Sequence, residues 1–367
     1  MRAFAQWYNL AICATIQQDF HSRWGDVMPS PIPGHIMQVA SSYGVSRALL
    51  SAVGLGLYTR LAKGPMTLEE IMREYGFLRR PAMDFLDLLV SVNLLGREGD
   101  GLGARYQNTE ETAAFLDRNK STYIGGIIEI WDKRNYRYWA DITEGFKTGK
   151  PQNETKEAGT PFFETMYTDS ARLEAFMNAM NGSSIRNFET FARVFPFKRY
   201  QTMTDIGGAD ALLSRLVAAA QPHMRCTSFD LPIVTEIAIR KIAAAGLADR
   251  IKAVAGDFFA DPLPRADVIT MGMILHDWNL ERKKLLIKRA YDALPDGGVF
   301  VAIEALIDDA RRTNTYGLFM SLTMLMEFGD AFDFTGAEFT EWCREAGFTR
   351  FEMIPLEGSS SAAIAYK

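Results

Sequence analysis

Apolar residues recur at two different spacings along the chain, and the change falls near Tyr200. Before it they repeat every three to four residues, as on the buried face of an α-helix. After it, short apolar runs alternate with helical stretches, which is typical of β-strands separated by helices. The pattern therefore predicts a mostly helical N-terminal half and an α/β C-terminal half.

The helical half begins with a pattern of helices followed by a β-hairpin. A long helix is expected from His35 to Ala62, broken near Gly54. Thr67 opens a Thr-x-x-Glu capping box, and Pro81 begins a further helix from Met83 to Leu95. Two short strands are expected around the glycine-rich turn that follows. Helices and a hairpin in this order predict a winged helix.

Winged helices are most often DNA-binding modules, so a transcription regulator is the alternative from another class. The predicted recognition helix carries Arg79 and Arg80 only at its start, and its body holds Asp84 and Asp87 without a basic residue. Phosphate contacts require Lys or Arg, and the net charge of -5 provides no basic surface. We therefore expect a scaffold or dimerisation module that does not bind nucleic acid.

In the α/β half, five strands are expected, with helices between them. They are Thr202–Ile206, Arg225–Phe229, Ile251–Ala255, Val268–Met273 and Val299–Glu304. This alternation predicts a doubly wound parallel sheet, whose ligands bind beyond the carboxyl ends of the strands. Two more strands, at 351–355 and 362–366, are expected to pair as edge strands.

The composition is that of a globular protein, with 48% hydrophobic and 23% charged residues. Its three cysteines, Cys13, Cys226 and Cys343, are widely spaced, which favours reduced thiols in a cytoplasmic protein. The sequence has no apolar run of about 18 residues and no convincing signal-peptide cleavage site. We therefore expect a cytoplasmic protein with no membrane partner.

Residues suited to a nucleoside ligand follow three successive predicted strands. The first strand runs into Gly207 within the sequence DIGGAD, where small residues let backbone amides approach a ligand. The second ends at Asp230, where dinucleotide folds place an acid for ribose hydroxyls. The third ends at Asp257 and Phe258, an acid beside an aromatic ring, suited to adenine. Each acid alone is compatible with a solvated loop, but three successive strand ends predict a binding site.

The fourth strand leads into His276, and the adjacent fifth strand ends at Glu304. A histidine paired with a carboxylate has a fixed tautomer and raised basicity, as deprotonation of a hydroxyl requires. The alternative interpretation is a structural histidine bonded to a neighbour.

Taken together, these motifs resemble the caffeic-acid and hydroxyindole (acetylserotonin) O-methyltransferases, in their bacterial branch. The resemblance covers residues 35–367, and its most specific pieces are DIGGAD, SFDLP, GDFF, LHDW, DALPDGGVFVAIE and REAGF. It implies a Rossmann-like class I methyltransferase domain preceded by an all-helical winged-helix dimerisation domain. The implied activity is metal-independent methyl transfer from S-adenosylmethionine to a hydroxyl of a small acceptor, releasing S-adenosylhomocysteine, in a homodimer.

For the cofactor, the resemblance implies that Gly207 binds the methionine part, Asp230 and Leu231 the ribose, and Asp257 and Phe258 the adenine. In the catalytic centre it implies that His276 is the general base, with Glu304 and Asp333 as orienting acids. Met180 and Met324 match methionines that clamp the acceptor, although methionines at helical spacing are more often core residues.

Three departures from the family pattern bear on this site. The later glycines of the fingerprint are Ala209 and Ala211, which makes the loop bulkier, and a family lysine is replaced by Gly272, which removes a cofactor contact. The second orienting acid is shortened to aspartate at position 333.

Two further functions remain open at this level. The fold also hosts an S-methyltransferase of methylthiohydroxybutyrate, in the dimethylsulfoniopropionate pathway, and a thioether has no proton to lose. Its carboxylate would need a cation, which Arg134 or Arg137 near Trp131 is placed to supply. The other is a non-methylating relative that uses the cofactor structurally, against which the retention of His276 argues.

Pattern and resemblance together divide the chain into four segments. We expect a helical extension and proline-rich linker at 1–34 and a winged-helix-like dimerisation domain at 35–115. A helical connection at 116–199 contributes to the acceptor pocket, and the cofactor-binding catalytic domain spans 200–367.

Overall fold

The computed structural model of the 367-residue chain describes residues 33–158 and 170–367. The pattern of contacts divides the chain into two compact units, residues 1–47 and residues 48–367. The helical extension and linker expected before residue 33, and Cys13 with them, lie outside the described residues. The domain boundaries expected after residues 115 and 199 remain predictions.

Helices dominate the first half of the described chain and alternate with strands in the second. They are α1 (Gly34–Gly54), α2 (Leu57–Leu61), α3 (Leu68–Tyr75), α4 (Arg79–Ser91), α5 (Glu110–Phe115), α6 (Gly125–Ile130), α7 (Ile142–Thr148), α8 (Glu154–Ala158), α9 (Ser170–Val194), α10 (Leu212–Ala220), α11 (Pro232–Ala244), α12 (Leu280–Ala293), α13 (Thr315–Phe328) and α14 (Gly336–Ala346). Among the described helices, none is long and apolar enough to cross a membrane.

The structure confirms the predicted helix break and capping box in the N-terminal module, by which we mean residues 35–115. Gly56 takes a left-handed φ of 70° between α1 and α2. The Thr67 hydroxyl accepts a hydrogen bond from the Glu70 amide, and the Glu70 carboxylate accepts one from the Thr67 amide, which satisfies two amides at the start of α3. Helix α4 begins and ends earlier than predicted, so Pro81 lies inside its first turn, where an amide has no partner within the helix and the missing N–H of proline breaks no helical hydrogen bond.

A small antiparallel sheet shows that the module is not all-helical. Its strands β1 (Met66–Thr67), β2 (Gly96–Glu98) and β3 (Arg105–Gln107) are ordered β1-β3-β2. The predicted hairpin is therefore present, with a third strand added from the segment before α3. Arginines at this end of the module are ion-paired to acids: Arg79 to Glu69, Arg80 to Asp84 and Arg97 to Asp87.

A seven-stranded mixed sheet forms the second half. Its strands are β4 (Thr202–Ile206), β5 (Arg225–Asp230), β6 (Ile251–Ala255), β7 (Val268–Gly272), β8 (Val299–Glu304), β9 (Arg350–Pro355) and β10 (Ser361–Tyr366), ordered β6-β5-β4-β7-β8-β10-β9. Strands β4 to β8 are parallel, which confirms the predicted doubly wound core.

The expectation that both C-terminal strands lie at the edge is wrong for β10. This strand pairs antiparallel with β8 on one side and with β9 on the other. Its residues Ala362 to Ala365 are fully buried because the strand has a neighbour on both sides and packed helices on both faces. Only β9 is an edge strand of the pair.

Helices cover both faces of the sheet. Along β8, Val299, Val301 and Ile303 pack into a cluster that includes residues of α9, α10 and α11. The alternate residues Phe300 and Ala302 pack into a second cluster with residues of α12 and α14. With both faces covered, the accessible part of the parallel strands is the edge where their carboxyl ends meet the following loops.

Candidate active site

The turn after β4 brings three predicted site segments together at Gly207. This residue has a φ of 68°, which favours glycine. A Cβ atom at this position would overlap the Ile274 side chain and lie 3.7 Å from Cε1 of Phe258. The glycine turn, the segment after β6 and the segment before His276 therefore meet at one point, where the absent side chain leaves room for Ile274.

The two alanines that replace family glycines lie in left-handed conformations. Ala209 has a φ of 48° and Ala211 a φ of 65°, a region that non-glycine residues enter at a cost of about 1–3 kcal/mol. The Ala209 amide donates to Oδ2 of Asp230 at 2.9 Å. This hydrogen bond ties the loop to the end of β5 and holds the loop in its glycine-like shape.

Asp230 accepts a second hydrogen bond, from the Leu231 amide at 2.7 Å. Burial raises the pKa of Asp230 to about 6, against the lowering effect of these two bonds. Behind it, Asp205 accepts a hydrogen bond from the Thr270 hydroxyl at 2.7 Å, and burial raises the pKa of Asp205 to about 7. The partly buried Asp230 carboxylate is thus suited to accept hydrogen bonds from ligand hydroxyls.

The segment after β6 builds an aromatic wall. Phe258 lies 4.9 Å from the Phe259 ring and 5.9 Å from the Trp278 ring, measured between centroids. Asp257 accepts a hydrogen bond from the Phe259 amide at 2.7 Å, which fixes the turn that carries the rings. An acid and a ring face beside the glycine turn have the chemistry that a purine base requires.

His276 lies on a 3₁₀ turn, Leu275–Asp277, directly after β7, and Glu304 secures that turn. Oε1 of Glu304 accepts hydrogen bonds from the amides of Ile274 at 3.2 Å and Leu275 at 2.9 Å. Oε2 lies 2.8 Å from Nδ1 of His276, although the two atoms are not aligned as a hydrogen bond. One carboxylate therefore fixes both the backbone of the turn and the position of its imidazole.

Two more acids surround the imidazole. Oδ1 of Asp277 lies 3.2 Å from Nε2, and Oδ1 of Asp333 lies 3.7 Å from Nδ1. Burial by itself would lower the pKa of His276, but the charges of Glu304 and Asp277 raise it well above its usual value of 6.5. The pKa is perturbed in this way because three carboxylates share the pocket of the imidazole.

Asp333, the shortened second acid, is almost fully buried, and neither of its carboxylate oxygens has a hydrogen-bond partner among the described residues. Burial raises its pKa to about 7, while the charge of His276 lowers it. His276, Glu304 and Asp333 offer ligand atoms within 4.8 Å of one another, a donor set that a divalent cation would also accept.

Aromatic residues from two elements gather around Phe319 of α13. Trp139 stacks on Phe319 at 5.2 Å, and Trp131 meets it edge-on at 6.2 Å. Tyr316, also on α13, lies 6.2 Å from Phe319 and within electrostatic reach of His276. The structure therefore brings the predicted Trp131 into an aromatic group that continues toward His276.

Arg134 is engaged by carboxylates. Its guanidinium donates to both carboxylate oxygens of Glu327 and, at 2.7 Å, to Glu154. Asn135 and Asn153 complete this buried network by donating to Glu327. The suggestion that Arg134 binds an acceptor carboxylate does not fit this geometry, because two internal carboxylates already bind the guanidinium.

The remaining predicted acceptor residues lie on separate helices. Met180 is half-buried on α9, and Met324 is buried on α13. Gly272, which replaces the family lysine, adjoins Phe188 of α9: a Cβ atom there would lie 2.9 Å from the phenyl ring. The phenyl ring thus fills the space beside position 272. The roles of Met180 and Met324 stay predictions.

Sequence reasoning missed three residues near His276. Asp277 belongs to the motif LHDW, but nothing in the sequence indicates a role for it. No sequence pattern near Tyr316 places it beside His276. Lys283 is fully buried, and it occupies the same face of α12 as Leu286 and Ile287. A lysine at an apolar position of a helical repeat was the available signal, since buried lysines are rare.

The strand order, the glycine turn after the first parallel strand and the histidine–carboxylate pair at the same edge define a class I methyltransferase fold. Comparison with known proteins leads from this class to a family. Residues 139–349 match the O-methyltransferase domain, and residues 37–118 match the O-methyltransferase dimerisation domain.

Relatives agree with these matches. The chain is 36% identical to the tetracenomycin polyketide synthesis 8-O-methyltransferase TcmO of Streptomyces glaucescens, over 91% of this chain and 97% of that protein. It is 33% identical to the N,N-dimethyltransferase OxyT of Streptomyces rimosus, over 85% and 90%. The crystal structure of human N-acetylserotonin methyltransferase in complex with S-adenosylmethionine superimposes with a TM-score of 0.83 at 26% identity, covering 93% of this chain and 99% of that one. The chain belongs to the family of S-adenosylmethionine-dependent O-methyltransferases.

Proposed function

We propose that this enzyme transfers a methyl group from S-adenosylmethionine to a phenolic hydroxyl of a planar, polycyclic acceptor, with His276 as general base. The observation that carries the proposal is the meeting at Gly207 of the glycine turn, the Phe258 segment and the segment leading to His276. This convergence joins a nucleoside-type site to a histidine held 2.8 Å from a buried carboxylate.

The cofactor fits the residues of this edge. Gly207, at the turn after β4, would lie against the methionine part, and Asp230 with the neighbouring Leu231 would receive the ribose. Asp257 and Phe258 would hold the adenine. When bound, S-adenosylmethionine supplies an electrophilic methyl group on a sulfonium. The protein's task is to hold the accepting oxygen in line with that group, a contribution worth several kcal/mol.

The histidine receives the proton that the hydroxyl loses as the oxygen–methyl bond forms. With Nδ1 directed at Glu304, Nε2 is the nitrogen that faces the acceptor. The imidazolium formed is stabilised by Glu304 at one nitrogen and Asp277 at the other. General-base assistance of this kind contributes roughly 10²–10⁴-fold to the rate. In this mechanism His276 is the base, Glu304 and Asp333 orient it, and no metal takes part.

Support for a planar aromatic acceptor comes from the rings of Trp131, Trp139, Tyr316 and Phe319. Their stacked and edge-on contacts build a broad apolar wall that continues toward His276. The relative TcmO is an O-methyltransferase of polyketide synthesis, and a second relative is named for a naphthoate, a fused-ring acceptor that such a wall suits. A thioether acid is less well matched at Arg134, because Glu327 and Glu154 bind that side chain. The other cation near Trp131 is Arg137, which lies over the Tyr138 ring at 5.2 Å.

We also propose that two copies of the chain pair through the N-terminal module. The described part of the first unit exposes Ile36, Met37, Val39 and Tyr43 by 59–69% of their surfaces. Exposed apolar residues this close together mark an interaction surface. The match of residues 37–118 to a dimerisation domain supports a second copy as the partner.

A single experiment tests the proposed chemistry. Methyl-labelled S-adenosylmethionine is offered with naphthols, with aromatic amines and with thioether acids, to the parent enzyme and to two variants. His276→Ala should cut turnover of the naphthol by about 10²–10⁴-fold with little change in cofactor affinity. His223→Ala, at an exposed histidine, is the matched control and should be unaffected.

Turnover confined to amines or thioether acids would overturn the hydroxyl acceptor. A loss below about 10-fold in His276→Ala, with a pH-independent rate, would remove His276 as the base.

A further inference from the structure

Lys283 carries a positive charge into the pocket behind His276. The side chain is 0% exposed, on the apolar face of α12. Its ammonium donates a hydrogen bond to the carbonyl of Trp278 and lies 3.6 Å from the centroid of the Phe332 ring. The ammonium is thus held by a carbonyl and a ring face, and among the described residues no carboxylate oxygen lies within ion-pair distance of it.

Both contacts bring the ammonium close to the acids of the site, because Trp278 adjoins Asp277 and Phe332 adjoins Asp333 in the chain. Burial lowers the pKa of Lys283 to about 8, while the charges of Glu304, Asp333, Asp277 and Asp330 raise it. At neutral pH the group is therefore mostly an ammonium. It is a buried cation that acts on the same carboxylates that contact the imidazole of His276.

We propose that Lys283 is a positioning residue whose buried ammonium partly offsets the negative charge of Glu304, Asp333 and Asp277, and thereby sets the pH range in which His276 is neutral. Without this cation the three acids would stabilise the imidazolium further. His276 would then be protonated over more of the neutral range and unable to accept a proton. The role in activity rests on the proposed function of His276, whereas the electrostatic effect does not.

The other charged groups around this pocket have partners of their own or lie farther out. On α12, Arg282 lies over the Trp278 ring at 5.0 Å, and Lys284 pairs with Glu345 at 2.7 Å. Asp330 accepts a hydrogen bond from Asn279 at 2.8 Å, and Tyr316 of α13 faces His276 and Asp333. Lys283 is thus the lysine of α12 that the acids of the pocket share, which makes Lys284 a matched control.

The direct test measures the pKa of His276 by NMR. The chain has four histidines, so spectra of ¹³C-labelled imidazoles are sparse, and His276→Gln identifies the resonance. In Lys283→Met the His276 pKa should rise by on the order of 1 unit, as for a charge removed near a buried group. Lys283→Arg should stay near the parent value, and Lys284→Met, which removes the same charge from an exposed site, should leave the value unchanged.

A His276 pKa that is unchanged or lowered in folded Lys283→Met would overturn the proposal. If that variant does not fold, Lys283→Gln gives the same measurement. Failure of both to fold beside a folded Lys283→Arg would assign Lys283 a structural role and equally overturn it. A change in melting temperature alone, without movement of the His276 pKa, would have the same meaning.

Activity separates this proposal from the proposed function. With a naphthol acceptor, the acid limb of the kcat profile should move to higher pH in Lys283→Met, with kcat at alkaline pH restored to near the parent value. An NMR shift without movement of the limb would leave the electrostatic role standing and refute His276 as the base.

Discussion

Replacement of Glu304 by glutamine tests the orientation of the imidazole of His276, the proposed base. Oε1 of Glu304 accepts hydrogen bonds from two amides, of Ile274 and Leu275, so the amide oxygen of a glutamine must take that place. Its NH₂ group then faces Nδ1 of His276, where Oε2 lies at 2.8 Å in the parent. Because NH₂ only donates, Nδ1 must accept, and the imidazole proton moves to Nε2.

The expected magnitude follows from two losses. A contact to a charged group contributes about 1.5–3 kcal/mol, and each 1.4 kcal/mol corresponds to about tenfold in rate. Loss of the Glu304 charge beside the imidazolium therefore costs about 10–100-fold. The reversed tautomer occupies the nitrogen that should receive the proton and adds to this loss. We expect kcat to fall by about 10²-fold or more, with KM for the cofactor nearly unchanged.

The assay is the pH dependence of kcat with the naphthol turned over fastest in the screen. Since the Glu304 charge raises the pKa of His276, its removal should move the acid limb to lower pH while the plateau falls. Glu345→Gln, at an exposed acid paired with Lys284, is the control and should match the parent. A plateau within about threefold of the parent, or a limb that moves to higher pH, would refute the orienting role of Glu304.

Three further outcomes are expected. Asp230→Ala should weaken S-adenosylmethionine binding by about 10-fold or more, because the Ala209 amide and the ribose lose their acceptor; unchanged affinity by calorimetry would contradict the assignment. In the parent enzyme the acid limb of kcat should have its midpoint above pH 6.5, because Glu304 and Asp277 raise the pKa of His276 and only the neutral imidazole accepts a proton; a midpoint at or below 6.5 would show that these charges do not act on the base. Light scattering should report a dimer at micromolar concentration, and Val39→Glu should shift it toward monomer; a monomeric parent would exclude the proposed pairing.

The sequence alone was sufficient to predict features that depend on neighbouring residues in the chain. Strands β4, β6 and β8 have the predicted bounds, because each is a short run of strand-forming residues that stops before a glycine or at an acid. The sequence also pointed to the histidine–carboxylate pair, since two residues at the carboxyl ends of adjacent parallel strands must lie close together.

Other features depend on partners distant in sequence. The position of β10 between β8 and β9 was not predicted. A strand of small residues has the same local pattern whether it pairs with one neighbouring strand or with two. The engagement of Arg134 by Glu327 joins residues almost two hundred positions apart, which spacing cannot reveal.

The sequence by itself determined the fold class, the glycine turn and the residues at the carboxyl ends of the parallel strands, because these follow from periodicity and from the ends of strands. Only the tertiary structure decided how those residues titrate. Asp277, Asp333 and Lys283 come from three different segments, and folding places their charges around one buried imidazole. The basicity of His276 depends on the distances and burial of these charges, and only the packed structure sets those quantities.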